Sequence, residues 1–326
     1  MAKVLVTGGG GFIGSHLCEE LAQAGHEVRA FVRYNGRGSH GFLDGIAGTL
    51  GDRIEVVAAD IRDFDSVSRA VAGCEQIFHL AALIGIPYSY ESPLAYVRTN
   101  VEGTYNVLEA ARRAGTKRVL VTSTSEVYGT ARYTPIDEAH PLQPQSPYSA
   151  SKIGADNLAL SYHLSFETPV VVARPFNTFG PRQSARAIIP TLATQLLSKR
   201  PHIEVGSLDP VRDLTYVADT VSALITIANT DGFLGKTVNV GTGEAISIAE
   251  IYERLVKIVG HRAELRQDPA RVRPANSEVM KLVSNNELLR STTGWKNQFD
   301  IDAGLAKTVD WLSANLDRYR PDRYNV

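Results

Sequence analysis

The amino-acid sequence predicts an α/β protein in which a doubly wound parallel sheet is joined to a smaller, interleaved C-terminal α/β lobe. Three observations lead to this fold class. Short apolar runs alternate with helix-length segments through the first half of the 326 residues. A glycine-rich turn links the first run to the first helical segment, and the alternation loosens beyond residue 175. Such alternation is typical of βαβ units, whose strands are parallel.

The individual elements follow from these runs. The predicted strands of the sheet are Val4–Val6, Val28–Val32, Ile54–Ala58, Gln76–Leu80, Arg118–Thr122 and Val170–Ala173. The helices between them are predicted at Ser15–Ala24, Asp65–Ala72, Asn100–Ala114 and Ser149–Ser165. In the C-terminal lobe we predict helices at Pro190–Lys199, Val217–Asn229 and Ser247–Val259, and short strands at His202–Val205 and Thr237–Val240.

The glycine-rich turn has the form of a dinucleotide-binding Rossmann motif. Gly8, Gly11 and Gly14 lie between the first strand and the first helix. The first glycine permits a tight turn, the second lets backbone N–H groups approach a pyrophosphate, and the third lets helix and strand pack closely. The phosphates then lie at the positive N-terminus of the helix.

Composition excludes several other function classes. A formal net charge of -1 provides no global field for nucleic acid or for acidic membranes, and no apolar run is long enough to span a bilayer. The two cysteines, Cys18 and Cys74, lack metal-ligand spacing and are expected to be reduced thiols, so no metal site is predicted. The chain enters its first strand without a signal-peptide pattern, which favours a cytoplasmic protein.

A tyrosine and a lysine form the first candidate catalytic pair. Tyr148 and Lys152 are four residues apart on a predicted helix, so both side chains can reach one small site. A neighbouring ammonium favours the phenolate, and we therefore expect Lys152 to lower the pKa of Tyr148 toward the range of a general base.

A second candidate segment follows the predicted strand Arg118–Thr122. It contains Thr124, Ser125 and Glu126, so hydroxyl groups and a carboxylate are clustered directly after a central strand. Catalytic groups of open α/β sheets gather at the carboxyl ends of strands. We therefore predict that this segment faces Tyr148 across an active site.

With these motifs in place, the whole chain resembles the extended short-chain dehydrogenases/reductases, the family of nucleotide-sugar epimerases, dehydratases and decarboxylases. The resemblance is carried, in this order, by the glycine triplet, Asp60-Ile61, His79-Leu80-Ala81-Ala82, the Thr124 segment, Tyr148 with Lys152, Arg174-Pro175-Phe176-Asn177, Val211-Arg212-Asp213 and Arg273-Pro274.

The resemblance implies a cleft for a tightly bound and recycled NAD(P) and for a nucleotide-diphosphate sugar. The implied cofactor-binding residues are Gly8, Gly11, Phe12, Ile13, Gly14, Arg33, Asp60, Ile61, Leu80, Ala81, Ala82, Tyr148, Lys152 and Pro175. The implied substrate-binding residues are Asn177, Arg186, Val205, Arg212 and Arg273. Residues 1–174 would form the NAD(P)-binding domain, and residues 175–326 would mainly bind the nucleotide sugar.

The choice between NAD and NADP is open at this point. Many NAD enzymes of this class carry an acidic residue about where Val32 lies, and that acid binds the ribose hydroxyls. Its absence, with Arg33 and Arg37 nearby, permits NADP. Asn35 or Ser39 would be able to serve the ribose hydroxyls of NAD instead.

The resemblance also implies the reaction. The shared step of the family is oxidation at sugar C4, in which Tyr148 removes the hydroxyl proton and Thr124 hydrogen-bonds the oxygen. Glu126 resembles the base of 4,6-dehydratases, which removes the C5 proton before water leaves C6. Many of these enzymes carry Asp-Glu at this pair, whereas this chain has Ser125-Glu126, which leaves the acid for the C6 hydroxyl unassigned.

Three segments favour one reaction and one class of substrate. Residues 81–90, 146–156 and 174–187 are similar to the N-acetylglucosamine 4,6-dehydratases of legionaminic-acid-type pathways. We therefore predict a nucleotide-sugar 4,6-dehydratase. A UDP-glucuronate decarboxylase, which also carries Ser-Glu, a 4-epimerase, and a nucleotide-sensing regulator without catalysis are the alternatives.

The same resemblance implies a homodimer. In the family, the helices that correspond to Asn100–Ala114 and Ser149–Ser165 form a four-helix dimer interface. Their apolar residues at helical spacing exceed what one sheet face needs; they are Val101, Tyr105, Leu108, Leu158, Leu160 and Tyr162.

Overall fold

The computed structural model describes residues 1–46, 51–271 and 279–319. The strands are β1 (Lys3–Thr7), β2 (Glu27–Arg33), β3 (Ile54–Ala59), β4 (Gln76–His79), β5 (Arg118–Thr122), β6 (Val170–Pro175), β7 (Asn177–Phe179), β8 (His202–Val205), β9 (Val211–Arg212), β10 (Leu214–Tyr216), β11 (Thr237–Val240), β12 (Ile246–Ser247), β13 (Glu264–Gln267) and β14 (Lys281–Leu282).

The α-helices lie between and after these strands. They are α1 (Phe12–Gln23), α2 (Phe64–Val71), α3 (Ile86–Glu91), α4 (Pro93–Tyr96), α5 (Gly103–Ala114), α6 (Pro147–Phe166), α7 (Ile188–Leu197), α8 (Val217–Ala228), α9 (Ile248–Val259), α10 (Glu287–Thr293) and α11 (Ile301–Ala314). In the described part of the chain, none of them has the length and apolar character needed to cross a membrane.

The central sheet confirms the predicted fold class. Within the described residues it has seven strands in the order β11-β6-β5-β4-β1-β2-β3, and every neighbouring pair is parallel. The chain builds β1, β2 and β3 outward in one direction and then returns to place β4 on the other side of β1. This reversal creates a crevice at the carboxyl ends of β1 and β4, where open α/β sheets bind ligands.

The C-terminal lobe is interleaved with the sheet, as predicted. β11 comes from the second half of the chain, yet it pairs with β6 at the edge of the central sheet. The lobe itself contains three small sheets, in which β10 pairs with β7, β9 lies between β12 and β14, and β13 pairs with β8. The domain boundary at residue 174 stays a prediction.

Apolar side chains on both faces hold the sheet in the interior. Along β1, Val4 and Val6 belong to one buried cluster, while Leu5 between them belongs to a cluster on the opposite face. Alternation of this kind follows from the two-residue period of a strand. Helices cover both faces of the sheet, so the middle of β1, from Val4 to Val6, is apolar at each position and has the form of a continuous hydrophobic run.

One helix begins earlier than the sequence predicts. The prediction placed a helix at Asn100–Ala114, whereas the backbone is already helical from Pro93 and passes through a π-helical segment, Val97–Glu102, before α5. Proline at the first helical position is favourable because its missing N–H is not needed there. The π-helical segment places Asn100 where its side chain hydrogen-bonds both backbone groups of Leu83, at 2.8 Å and 3.0 Å.

Candidate active site

A cleft of about 1030 Å³ opens at the carboxyl ends of the sheet strands and extends along the C-terminal lobe. Nearly all of the predicted site residues line it, although they are far apart in sequence. From the predicted set it brings together Gly8, Gly11, Phe12, Ile13, Gly14, Arg33, Asp60, Ile61, Leu80, Ala81, Ala82, Thr124, Glu126, Tyr148, Lys152, Pro175, Asn177, Arg186, Val205 and Arg212.

The glycine-rich turn at one side of the cleft fits a pyrophosphate. Gly8 has a φ of +75°, and a Cβ atom on Gly14 would lie 2.2 Å from the carbonyl oxygen of Gly8. Helix α1 starts directly after Gly11, with no side-chain cap and no acidic residue in its first turn. Its first N–H groups are therefore available to an anion, whose charge the helix dipole also favours.

A series of buried hydrogen bonds centred on Thr7, the residue before the glycine-rich turn, connects the ends of β1 and β4. The Thr7 hydroxyl accepts hydrogen bonds from the backbone N–H groups of Leu80 and Ala81, at 3.1 Å each. It also shares a 2.8 Å hydrogen bond with His79, whose other ring nitrogen lies 2.9 Å from the Thr104 hydroxyl. Burial lowers the pKa of His79 to about 3, so the ring is neutral and joins two strand ends.

Tyr148 and Lys152 lie on the first turns of α6 and reach the middle of the cleft. Ser146 and Ser149 form a capping box at the start of this helix. The Tyr148 phenol hydrogen-bonds Thr124, and the Lys152 ammonium donates to the Thr122 carbonyl at 2.6 Å.

The electrostatics of this pair differ from the prediction. Burial raises the pKa of Tyr148 above its usual range, and the hydrogen bond with Thr124 opposes this shift only in part. Burial also lowers the pKa of Lys152. The predicted lowering of the Tyr148 pKa by Lys152 is therefore wrong, because the loss of solvation outweighs nearby charge when both groups are buried.

Glu126 lies in the cleft, whereas Ser125 does not. The Thr124 side chain accepts a hydrogen bond from the Glu126 N–H at 3.2 Å and starts a 3-10 helix, Ser125–Tyr128. The side chains of Thr124 and Glu126 face the cleft on either side of Ser125, which is only 2% exposed and is turned into the interior. The negative charge of Glu126 acts on the Tyr148 phenol and raises its pKa.

A buried ionic network lies behind these groups, and the sequence analysis assigned it no role. Asp156, one turn after Lys152 on α6, accepts hydrogen bonds from the Ser123 hydroxyl at 2.7 Å and from the Arg174 guanidinium at 3.0 Å. Arg174 also donates to the Tyr128 hydroxyl at 3.0 Å. The (i, i+4) spacing of Tyr148, Lys152 and Asp156 was the sequence signal for this network.

At the far end of the cleft, Asp60 follows β3. Its carboxylate accepts from Arg62 Nε at 2.9 Å and 3.1 Å, and the hydrogen bonds from Arg62 hold the pKa of Asp60 at about 2. Arg62 itself lines the cleft and was not among the predicted residues.

The C-terminal lobe also contributes residues to the cleft. Asn177, at the start of β7, has a buried side-chain oxygen with no hydrogen-bond partner in the described ranges, as expected for a group that awaits a ligand. Arg186 approaches Gly85, where a Cβ atom would lie 3.1 Å from its Nη1.

Arg273 lies outside the described residues. Arg271, which the sequence analysis did not select, lines the cleft, and its Nε lies 3.1 Å from Asp268.

The described residues contain no group of three or more His, Cys, Asp or Glu side chains that is placed to hold a metal ion. Among these residues, the cleft presents glycine-framed backbone donors, arginines, a phenol, an ammonium and the carboxylate of Glu126, whose charge acts on the phenol. Such a set is suited to binding diphosphates and to transferring protons.

Comparison with known proteins agrees with this geometry. The family model described as GDP-mannose 4,6 dehydratase matches residues 5–308. The dTDP-glucose 4,6-dehydratase of an Actinoplanes species is 33% identical over 318 residues, covering 96% of this chain and 98% of its own. The UDP-glucose 4-epimerase of Mycolicibacterium smegmatis is also 33% identical, with 95% and 98% covered.

A solved structure extends the likeness to three dimensions. The dTDP-glucose 4,6-dehydratase DesIV from Streptomyces venezuelae, determined with NAD bound, superposes with a TM-score of 0.89 at 29% identity. The match covers 98% of this chain and 100% of that one. The chain therefore belongs to the GDP-mannose 4,6 dehydratase family of NAD-dependent epimerases and dehydratases, within the extended short-chain dehydrogenases/reductases.

Proposed function

We propose that the protein is a nucleotide-sugar 4,6-dehydratase that converts an NDP-N-acetylglucosamine to its 4-keto-6-deoxy product and recycles a tightly bound NAD(P). The observation that carries the proposal is the position of Glu126. It lines the same cleft as Thr124 and Tyr148, close enough for its charge to act on the phenol. A dinucleotide bound in the cleft would supply the chemistry that accepts the C4 hydride and later delivers it to C6.

The first proton transfer belongs to Tyr148. Its phenol is hydrogen-bonded to Thr124, so both oxygens can converge on one sugar hydroxyl. Removal of the C4 hydroxyl proton by Tyr148 makes C4 a carbonyl carbon when its hydride leaves, while Thr124 holds the oxygen. The resulting ketone acidifies the neighbouring C–H at C5.

Glu126 then has to act as both base and acid in the elimination. Among the described residues, Glu126 and Asp60 are the carboxylates that line the cleft. Asp60 follows β3, four strands from β5, which is a separation on the order of 19 Å, and it is bound to Arg62. Because Ser125 is turned into the interior, Glu126 takes the C5 proton and gives a proton to the departing C6 hydroxyl.

The substrate assignment rests on the three segments that resemble N-acetylglucosamine dehydratases and on the lobe residues. Arg186, Arg212 and Asn177 line the same cleft as Tyr148. The guanidinium groups suit a diphosphate, since Arg pairs bidentately with such oxygens. The unpaired Asn177 oxygen suits a donor on the ligand.

The experiment uses Glu126→Gln and UDP-N-acetylglucosamine labelled with deuterium at C5. The substitution keeps the shape of the side chain and removes its basicity. In the wild type, C5 deuterium should wash out into solvent, and the product should have lost one water. In Glu126→Gln, the label should be retained and product formation should fall by about 10²–10⁴-fold, the usual contribution of a general base.

Glu91→Gln is the matched control, because Glu91 is exposed at the end of α3 and does not line the cleft. It should turn over like the wild type. Wild-type product that keeps its C5 deuterium and its full mass would identify an epimerase. Turnover of a uronic-acid substrate alone, with loss of carbon dioxide, would identify a decarboxylase. Either result would contradict the dehydratase proposal.

A further inference from the structure

We propose that Arg182 is a positioning residue, which links loop 180–187 of the C-terminal lobe to helix α1 of the glycine-rich turn. The loop brings Arg186 to the cleft, and α1 begins where the dinucleotide phosphates bind. Arg182 thereby fixes the group that contacts one ligand relative to the helix that holds the other. The inference rests on the proposed function only in requiring a nucleotide diphosphate as the ligand of the lobe.

Loop 180–187 connects β7 to α7 and contains turns but no helix or strand. Its residues Gln183, Ser184, Arg186 and Ala187 line the cleft. The backbone N–H and the Nε of Arg186 both lie near the Ser184 hydroxyl, at 3.4 Å and 3.3 Å. The guanidinium is thus oriented from within the loop, and its place in the cleft depends on what holds the loop.

Arg182 is not one of the residues that line the cleft, and it contacts α1 instead. Its Nη2 donates to the Glu19 carboxylate at 2.8 Å, and its Nη1 donates to the Ser15 hydroxyl at 3.4 Å. Ser15 and Glu19 are four residues apart and lie on one face of the helix. The Arg182 and Glu19 side chains are 16% and 30% exposed, so solvent screens this pair less than a surface pair.

His16 makes a second contact between α1 and the loop. Its Nε2 donates to the Pro181 carbonyl at 3.0 Å. Burial is the main cause that lowers the pKa of His16 to about 4, so the ring is neutral near neutral pH and carries its proton on Nε2. A neutral ring does not compete with Arg182 for the carboxylate of Glu19.

The backbone of Arg182 shows that the side chain is required at this position. Its φ is +68°, in the left-handed region that glycine adopts more readily than any other residue. A residue is held in this region only when its surroundings impose the conformation. The bonds from the guanidinium to Ser15 and Glu19 are contacts that glycine would lack.

Other hydrogen bonds attach the loop to the C-terminal lobe. The Tyr319 hydroxyl donates to the Gln183 carbonyl at 2.7 Å, and the Gln183 amide donates to the Thr178 carbonyl at 2.9 Å. The Thr191 hydroxyl donates to the Ala185 carbonyl at 3.0 Å. Because these bonds do not involve Arg182, its removal should leave the loop attached to the lobe but able to shift relative to α1.

Such a shift affects the two ligands differently. The N–H of Ser15 donates to the Gly11 carbonyl at 2.9 Å, so the first turn of α1 is held without Arg182. The position of Arg186, in contrast, depends on the loop. A ligand that binds only when the loop is in place loses affinity in proportion to the time the loop spends elsewhere. We therefore expect loss of Arg182 to weaken the nucleotide diphosphate and to spare the dinucleotide.

The test measures binding of UDP and of dTDP by calorimetry, on the protein as purified with its dinucleotide. Arg182→Gly removes the guanidinium, and glycine tolerates the left-handed φ, so the fold should be retained. The Kd of the diphosphate that the wild type binds more tightly should rise at least about fivefold, the lower end of usual coupling between sites. The dinucleotide content and the Tm should equal those of the wild type.

Two further variants test whether Arg182 acts through α1. Glu19→Gln should weaken the diphosphate, and adding it to Arg182→Gly should cause no further loss, because the two residues form one contact. Arg182→Lys, which keeps a cation for Glu19, should recover part of the affinity. Additive effects of Glu19→Gln and Arg182→Gly would contradict the positioning role.

Lys199→Gly is the matched control, because it also replaces a long cation at a positive φ, +54°, and Lys199 does not line the cleft. Its Kd should stay within about twofold of the wild type, as for most surface substitutions. An unchanged Kd in Arg182→Gly, or an equal rise in both glycine variants, would overturn the inference and leave the proposed function standing. A wild type that binds neither diphosphate would count against both.

Discussion

The Tyr148 phenol is subject to opposed influences: burial and the charge of Glu126 raise its pKa, and the hydrogen bond with Thr124 lowers it. To act as the base, the phenol has to be deprotonated, so ligand binding in the cleft must offset the effect of burial on its pKa. A residue with this role should be indispensable for chemistry and dispensable for folding.

Tyr148→Phe tests this role. The substitution keeps the ring, including its edge-to-face contact with Tyr96 at 6.2 Å, and removes the hydroxyl. We expect a folded protein with a melting temperature close to that of the wild type. Its turnover should fall by about 10²–10⁴-fold, the usual contribution of a general base. Turnover is followed by mass spectrometry of the sugar product, and folding by circular dichroism.

Tyr133→Phe is the control at this scale. Tyr133 is exposed, and its hydroxyl donates to Asp137 at 2.7 Å outside the cleft. Its loss should leave turnover unchanged. Near wild-type turnover in folded Tyr148→Phe would show that another group removes the C4 proton.

At the scale of a single element, α6 carries the proposed catalytic pair, Tyr148 and Lys152, and its support on one face. Asp156 follows Tyr148 and Lys152 at the same four-residue spacing and is fully buried. It joins α6 to β5 through Ser123 and to β6 through Arg174. Burial raises the pKa of Asp156, while Arg174 and Lys152 oppose that shift, so its charge depends on these two cations.

Asp156→Asn should therefore destabilise the fold. The Asp156 and Arg174 side chains are 1% and 5% exposed, so the substitution would leave a buried guanidinium without its counter-ion. Breaking a buried pair from one side costs about 3–5 kcal/mol. The free energy of unfolding, obtained from urea titrations, should fall by about that amount.

The matched variant is Glu253→Gln, which breaks an exposed pair with Arg262 whose side chains are 49% and 62% exposed. It should cost no more than about 1 kcal/mol. Equal effects of the two substitutions would mean that the Asp156 network contributes no more than a surface ion pair.

At the scale of the whole molecule, an apolar strip remains exposed where α6 lies beside the helical segments Pro93–Ala114. Leu94, Val97 and Tyr105 are 58%, 50% and 43% exposed, and Leu164 is 82% exposed. Leu108 and Tyr162, which the sequence analysis counted toward an interface, are instead buried against the sheet. The four exposed residues are therefore a stronger argument for a homodimer than the two buried ones, and the homodimer stays a prediction.

Light scattering at micromolar concentration should give a mass twice that of the 35.4 kDa chain. The double substitution Val97→Asp and Leu164→Asp should shift it to the monomer, because two unpaired charges would lie in the interface of each subunit. The control, Met280→Asp, changes another exposed apolar residue far along the chain and should leave the mass unchanged. A monomeric mass for the wild type would contradict the prediction of a homodimer.

Local sequence by itself determined the order of strands and helices, the glycine-rich turn, and the spacing of Tyr148 and Lys152 on α6. These features depend on short-range periodicity and on backbone freedom at glycine, which neighbouring residues specify. For the same reason, most predicted site residues line one cleft: the carboxyl ends of parallel strands necessarily meet at one edge of the sheet.

Only the tertiary structure decided the rest. The orientation of Ser125, the pairing of β11 with β6, the ionic network of Asp156 and Arg174, and the place of Arg271 at the cleft all depend on contacts between distant segments. The direction of the Tyr148 pKa shift belongs with them, because it is set by how much protein surrounds the phenol. The spacing of Tyr148 and Lys152 brings the two groups together, but burial, which arises from packing of the whole chain, sets the direction in which their pKa values shift.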